Sequence, residues 1–451
     1  MKVVRVLVVL AIGLLLSSLF AAPPDTMWTR YYGGSGYDVG YCVKQTSDGG
    51  YIIAGETAIN DPDGNGYLVK TDANGDTLWT SIIGGNDWDL FQPVFETPDG
   101  GYITAGYTFS WGAGGCDCWL VKTDSLGTVE WDTVYGGPTW DIVWRMDVTA
   151  DGGYILCGGT NDIEDVWVIK TDAMGNIEWD SIYGGGSTDV PGNVHQLADG
   201  GYFVSASTYS FGPGGDDFWL LRIDSIGNVL WDSTYGGTHN DELWDSRLTS
   251  DGGVIMTGGT MSYGAGNWDF LLIRVDSLGN TIWQNTYGGT YGDVSYSVGN
   301  TADGDFVAVG YTRSFGASGE DLWLVKAAGA DGHQVWDIRL GGSQDQAGWW
   351  VEQTSDDCYV VAGYDELTSY NTDVWLVMTE PDEFIEETKG ADIKTSYTGA
   401  TIFSNPLRFP EGATYRLFDI AGRQVTADKM RPGVYFVEVD GEITQKIVKV
   451  R

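Results

Sequence analysis

The amino-acid sequence predicts an all-β fold: a seven-bladed β-propeller closed by its N-terminal strand and followed by a small C-terminal β-sandwich. Three observations predict it. Trp28, Trp79, Trp131, Trp179, Trp231, Trp283 and Trp336 recur every 48 to 53 residues, each just before a Gly-Gly pair. A turn marker runs in step with them, from "SDGGY" ending at Tyr51 to "SDDCY" ending at Tyr359. The first tryptophan segment, "MWTRYYGG" at 27–34, has no repeat before it, whereas the seventh repeat ends without such a segment. A period near fifty residues is the mark of a repeat architecture and outranks any local pattern.

Within a repeat the elements are short strands. Strand A, "DVGYCVKQT" (38–46), alternates in character and ends at "SDGG", where Asp-Gly supplies the positive φ angles of a tight hairpin. Strand B, "YIIAGET", is β-branched and aromatic. After a Gly-rich loop comes strand C, "GYLVKTD", with later versions "CWLVKTD", "VWVIKTD" and "DLWLVKA". An Asn-Gly or Gly-Asn turn then leads into strand D, which carries the tryptophan. No helix-period segment occurs in the repeats. Four-stranded sheets repeated in this way are arranged radially in a propeller. The 20 tryptophans fill the wedges between blades, with Trp119, Trp167, Trp219, Trp323 and Trp375 in strand C. A solenoid of hairpins is the rival fold, but it needs capping repeats and the two ends of this array are incomplete instead. The Trp28 segment therefore completes blade seven by pairing with "DVWLVMTEPDEF" (373–384), which removes two open sheet edges.

The flanks and composition bound the function. Lys2 and Arg5 precede an apolar run from Val6 to Phe20 and the small residues Ala21 and Ala22, the pattern of a cleaved secretory signal over 1–22. That run is too short for a comfortable membrane anchor, and no later stretch is apolar enough to span. The propeller is expected over 23–380, a polar linker over 381–399 and the second domain over 400–451. A formal charge of −39, from 63 acidic and 24 basic side chains, disfavours nucleic acid and anionic lipid as partners. Five cysteines (Cys42, Cys116, Cys118, Cys157 and Cys358) are too few for a disulfide scaffold. Cys116 and Cys118 flank Asp117 and could form a strained bridge or half a metal site, without a second cysteine pair or histidine cluster to support it.

The A–B and C–D hairpins open on one face of the ring, and the longer D–A and B–C loops open on the other, where function concentrates. Two rings of acids recur on that long-loop face. One follows the glycine pair (Asp38, Asp89, Asp141, Asp189, Asp241 and Asp293, with Asp345 a residue early), and the other starts strand C (Asp117, Asp165, Asp217, Asp269, Asp321 and Asp373). Recurrence in nearly every blade favours turn capping over one asymmetric site. Residues that break the repeat are better ligand-binding candidates: Trp88, Trp111, Trp140, Phe211, Tyr263, Tyr291 and Phe315, with Asp89 and Asp141 beside them. Rings next to carboxylates suit sugars, against ordinary loop packing as the competing account. Asp61, Asp63 and Asn65 have the alternate-oxygen spacing of a calcium loop, so Ca²⁺ is the one cofactor the sequence admits, with a plain Asx turn as the default reading. Asp72 falls at the twelfth position, but residues 67–71 read as strand C and place it a strand's length away, which excludes the helical hand motif and leaves a calcium turn or a plain Asx turn. His195, His239 and His333 fall in a strand A, a D–A loop and a C–D turn, and no triad, zinc motif or phosphate loop is present.

The tail carries "SNP" at 404–406, "LFDIAGRQV" at 417–425, "GVYFVEVDG" at 433–441 and the basic end "KIVKVR" at 446–451. In this order it resembles the type A C-terminal sorting domain of type IX secretion, found in Bacteroidetes and related bacteria. The resemblance implies a small β-sandwich recognised by the outer-membrane secretion machinery, then often cleaved with attachment of the protein to surface lipopolysaccharide. It departs from that pattern in "FSNPL", where such tails commonly open Tyr-Pro-Asn-Pro. The repeats resemble those of secreted bacterial propeller proteins and, distantly, quinoprotein-type blades. The vicinal cysteine pair that stacks on the quinone is missing here, because Cys116 and Cys118 are separated, so no quinone and no catalytic residue is carried over. The expected protein is a secreted or surface-displayed, non-catalytic propeller that binds a glycan or protein through the long-loop face. The alternative is an extracellular glycosidase or lyase using mouth carboxylates.

Overall fold

The computed structural model describes residues 23–59, 64–160, 164–316, 318–368 and 371–382, and five strands of the tail; among them there are strands and turns but no helix. Blade one runs A (Asp38–Gln45), B (Tyr51–Thr57), C (Asn65–Thr71) and D (Thr77–Ile83), hydrogen-bonded in that order. Five further blades repeat this meander. In blade seven, A (Gln346–Gln353), B (Tyr359–Thr368) and C (Asn371–Thr379) are completed by the chain's first strand, Thr26–Tyr32. Trp28 lies opposite Met378 and Tyr31 opposite Trp375 in an antiparallel ladder. The ring is a closed seven-bladed propeller.

Burial explains the residue choice in each strand. Every side chain of strands B and C in blade one is buried, because both faces meet neighbouring blades, and these strands read as continuous apolar runs. Strand D alternates exposed and half-buried positions, as an outer strand with one wet face should. The hairpin glycines Gly49 (φ 82°) and Gly75 (φ 76°) take the left-handed angles that the turns need. In blade seven the marker reads "SDDCY", and Asp357 holds the same angle at φ 64° without being glycine.

Adjacent blades are joined by the repeated aromatics. In four blades the strand D tryptophan meets the marker ring that opens strand B of the next blade: Trp79 on Tyr102, Trp179 on Tyr202, Trp283 on Phe306 and Trp336 on Tyr359, with centroids 5.4–6.0 Å apart. Trp231, facing Val254, packs instead on Phe203 of its own blade at 5.7 Å. The closing strand follows the four, since Trp28 packs on Tyr51 at 6.1 Å. Its Tyr32 hydroxyl donates to the Gly75 carbonyl at 2.7 Å, as Tyr183 does to Gly227 and Tyr235 to Gly279.

The chain divides into two compact units between Pro381 and Asp382. In the second, five strands form one sheet in the order Ala400–Phe403, Glu442–Lys449, Gly433–Val439, Tyr415–Asp419, Gln424–Val425, the first pair parallel.

Candidate functional site

The first acid ring is tied into the turns. Asp38, Asp89, Asp141, Asp189, Asp241 and Asp293 are at most 2% exposed. One oxygen of each accepts from the second glycine of its own Gly-Gly turn, as in Gly85 N to Asp89 Oδ2 and Gly137 N to Asp141 Oδ2, both 2.7 Å. The other oxygen accepts the threonine hydroxyl that ends strand B, Thr108 for Asp89 and Thr160 for Asp141. Each aspartate thus clasps the D–A turn to the end of strand B. In blade seven Gln346, not Asp345, holds this place, accepting from Gly342 N at 2.9 Å and donating to Asp365. The second ring is less satisfied. Burial pushes the carboxyls of Asp117, Asp217 and Asp373 up, and one oxygen of each has no hydrogen-bond partner.

The loop aromatics divide into two groups. Trp111, Phe211 and Phe315 sit over the strand C tryptophans Trp119, Trp219 and Trp323 of their own blades at 5.0–5.5 Å, as lids on the blade packing. The Tyr263 hydroxyl donates to the Gly236 carbonyl, and Tyr291 is 64% exposed. Trp88 and Trp140 belong instead to a cluster around Phe109: Trp88 stacks on it at 5.8 Å and Trp140 meets it edge-on at 5.2 Å. Trp88 Nε1 donates to Glu56 at 2.5 Å, and the other oxygen of Glu56 accepts the Tyr41 hydroxyl at 2.6 Å. That chain of bonds leads from the loop face into the central channel.

Of the calcium-loop residues, Asp61 and Asp63 lie outside the described residues. Asn65 opens strand C of blade one in the place of the second-ring aspartates, and it packs where a Cβ on Gly84 would collide with it. Among the described residues no three His, Cys, Asp or Glu side chains converge as a metal site. Cys116 and Cys118 are buried and free, with thiols pushed up first by burial and then by nearby aspartates, which leaves them poor nucleophiles.

The channel holds what sequence reasoning missed. Three residues after the ring position, strand A carries Tyr41, Gln92, Trp144, Gly192, Trp244, Tyr296 and Trp349 in blades one to seven. Each lies where the A–B register slips, between Gly40 and Cys42 or Gly348 and Trp350 for example. Such a bulge turns one extra side chain out of the ladder. All of these except Tyr296 line a cavity of about 190 Å³, with Leu90, Tyr107 and Arg145. Tyr296 stacks on Trp349 at 4.1 Å, Trp244 meets Tyr296 edge-on at 5.0 Å and Tyr41 meets Trp349 at 5.6 Å. The position could have been found by aligning the repeats three residues past the aspartate, where rings occupy five of seven blades.

Charge is layered along this channel. Toward the long-loop side, Asp216, Glu242, Glu320 and Glu56 have carboxyls pushed up, each first by burial. Asp216 reaches about 8, with Glu242 the next cause. Deeper, Trp350 lies under three cations, with Arg247 at 4.5 Å, Lys44 at 5.0 Å and Arg145 at 5.5 Å from its ring centroid. Asp245 anchors this floor. It accepts from Arg247 Nη1 at 2.6 Å, Asn193 Nδ2 at 2.7 Å and Ser297 Oγ at 3.0 Å, and Arg145 Nε is 3.8 Å away. Burial opposes its charge, yet Arg247 and Arg145 hold its carboxyl below the usual range.

No protein-family model matches the chain, and no curated protein matches it. Solved structures resemble it over most of the chain. A protein of unknown function from Dyadobacter fermentans is 11% identical over 79% of this chain and 98% of its own, with TM-score 0.49. Drosophila Semaphorin 1b, extracellular domains 1–2, is 9% identical over 80% and 87%, with TM-score 0.45. Quinohemoprotein alcohol dehydrogenase from Comamonas testosteroni is 11% identical over 73% and 65%, with TM-score 0.38. Likeness at this level carries no argument about function. The propeller itself rests on the sheet order above.

Proposed function

We propose that this chain is an exported, non-catalytic binding propeller that takes a glycan or protein ligand at the long-loop end of its central channel. One observation carries the reading. Of the seven equivalent strand A positions, six shape a single cavity on the ring axis, four of them with Trp or Tyr rings and two with Gln92 and Gly192. A concave, mostly apolar cavity with a few converging polar groups is the usual form of a ligand site. The leader and the tail are proposed to route the protein through type IX secretion. In a host with that system, removing 400–451 is expected to abolish surface exposure while the propeller still accumulates, and unchanged display would overturn the route.

A second reading, hydrolysis of polysaccharide, is favoured by Asp216. A carboxyl raised to about 8 beside Glu242 is protonated at neutral pH, as a general acid must be. Against it, the nine residues that line the cavity include no carboxylate. A glycan array followed by incubation with each hit separates the two. Binding without product supports the first reading, and new reducing ends overturn it.

A further inference from the structure

Resting on the reading of the channel as a binding site, we propose that its occupant is a carboxylate-bearing sugar, a uronic acid residue of a glycan, with the carboxylate on Arg145 and the ring against Trp244 and Trp349. The unpartnered buried polar atoms of the cavity wall are all of one kind. Arg145 Nε, Trp244 Nε1 and Trp349 Nε1 are buried side-chain atoms of its wall with no hydrogen-bond partner, and all three are donors. In the floor below, Arg247 Nη2 and Trp350 Nε1 are in the same condition. Unpaired buried donors are costly unless an acceptor arrives, so the site favours a ligand rich in acceptors.

Charge agrees with hydrogen bonding. Two guanidiniums, Arg145 and Arg247, share the single carboxylate of Asp245, whose oxygens already accept from Asn193, Ser297 and the amides of Ser246 and Val298. Lys44 is separately paired with Glu352 at 3.3 Å. The floor therefore carries an excess positive charge within a chain of net charge −39. An anion that binds Arg145 satisfies that excess with a charge-assisted hydrogen bond. The acids nearer the mouth are drawn away from it: burial pushes the carboxyls of Asp216 and Glu242 up and so favours their neutral forms, Glu320 is paired with Arg313 at 2.7 Å and Glu56 accepts from Trp88 and Tyr41.

Size and shape select the sugar. A volume of about 190 Å³ falls below the roughly 300–1,000 Å³ of sites for larger ligands and suits one ring. Indole faces offer that ring flat apolar contact, and Gln92, Tyr41 and Tyr107 add polar groups to the wall, with Gln92 Oε1 accepting from Arg145 Nη1 at 3.3 Å and the Tyr41 hydroxyl donating to Glu56.

Calorimetric titration of the purified full chain with D-galacturonate, D-galactose and N-acetylphenylalanine tests this. Galacturonate is expected to bind at least about tenfold more tightly than galactose, and Arg145→Gln is expected to weaken it by about ten- to a hundredfold. Arg145 also offsets Asp245, so a second variant guards against a folding defect. Trp244→Phe keeps a ring and removes the N–H, and it is expected to lose about three- to tenfold for galacturonate at an unchanged melting temperature. Equal affinity for galactose and galacturonate overturns the anionic ligand and leaves the glycan reading standing. Tighter binding of N-acetylphenylalanine overturns it in favour of a protein carboxylate. If none of the three binds, the channel reading falls with it.

Discussion

A carboxyl buried among other carboxyls makes stability depend on pH, and Asp216 is the sharpest case. Burial, then Glu242, raises it to about 8, against about 4 in an unfolded chain. The folded state therefore binds the extra proton between those values. The stabilisation is complete below about pH 4, falls as pH rises toward 8 and is gone above it. Asp216→Asn removes the charge, so the variant is expected to melt higher than the parent at pH 9 and to lose less stability between pH 5 and 9. Equal slopes in melting scans would refute this. Asp245 behaves oppositely, since two guanidiniums need its charge. Asp245→Asn should cost about 3–5 kcal/mol by urea unfolding, because it strands buried cations. Asp357 is a milder matter. Its left-handed φ of 64° is what glycine adopts freely, and Asp357→Gly is expected to be neutral or stabilising by up to ~1 kcal/mol. The equivalent exchange at Gly49, to Asp, should destabilise.

At the scale of the element, the strand Thr26–Tyr32 determines whether the seventh sheet has three strands or four. Without it, the C strand Asn371–Thr379 presents an open edge, and Tyr51 of blade one loses its Trp28 partner. Deleting 26–32 is expected to lower the melting temperature and to promote aggregation, read by light scattering on heating. Unchanged melting would show that closure contributes nothing. Strands B, C and D were legible in the sequence because their burial follows from pairing with immediate neighbours, and Trp79, Asp-Gly and Asn-Gly mark them directly. Strand A was legible as a strand but not as a channel wall. Its slip at Gly40 and Cys42 depends on how the sheet curves around the axis, which no local pattern in "DVGYCVKQT" announces.

At the scale of the whole molecule, periodicity and two incomplete ends were enough to read a closed ring of seven blades. Each blade is built from contacts within about fifty residues, so the repeat itself encodes them, and one leftover strand can pair only with the blade that lacks one. The recurring aspartates were also readable as turn clasps, since Asp89 repeats with its Gly-Gly and threonine partners in blade after blade. The site is another matter. Sequence reading chose the loop aromatics, and the structure sets Trp111, Phe211 and Phe315 onto their own blades while joining Trp88 to the channel through Glu56 and Tyr41. Arg145, Asp245 and Trp350 come from three blades separated by some hundred residues each, and they meet only because the ring closes. Local spacing determined the blades. Convergence on a common axis, which has no signature along the chain, decided the cavity and its charge.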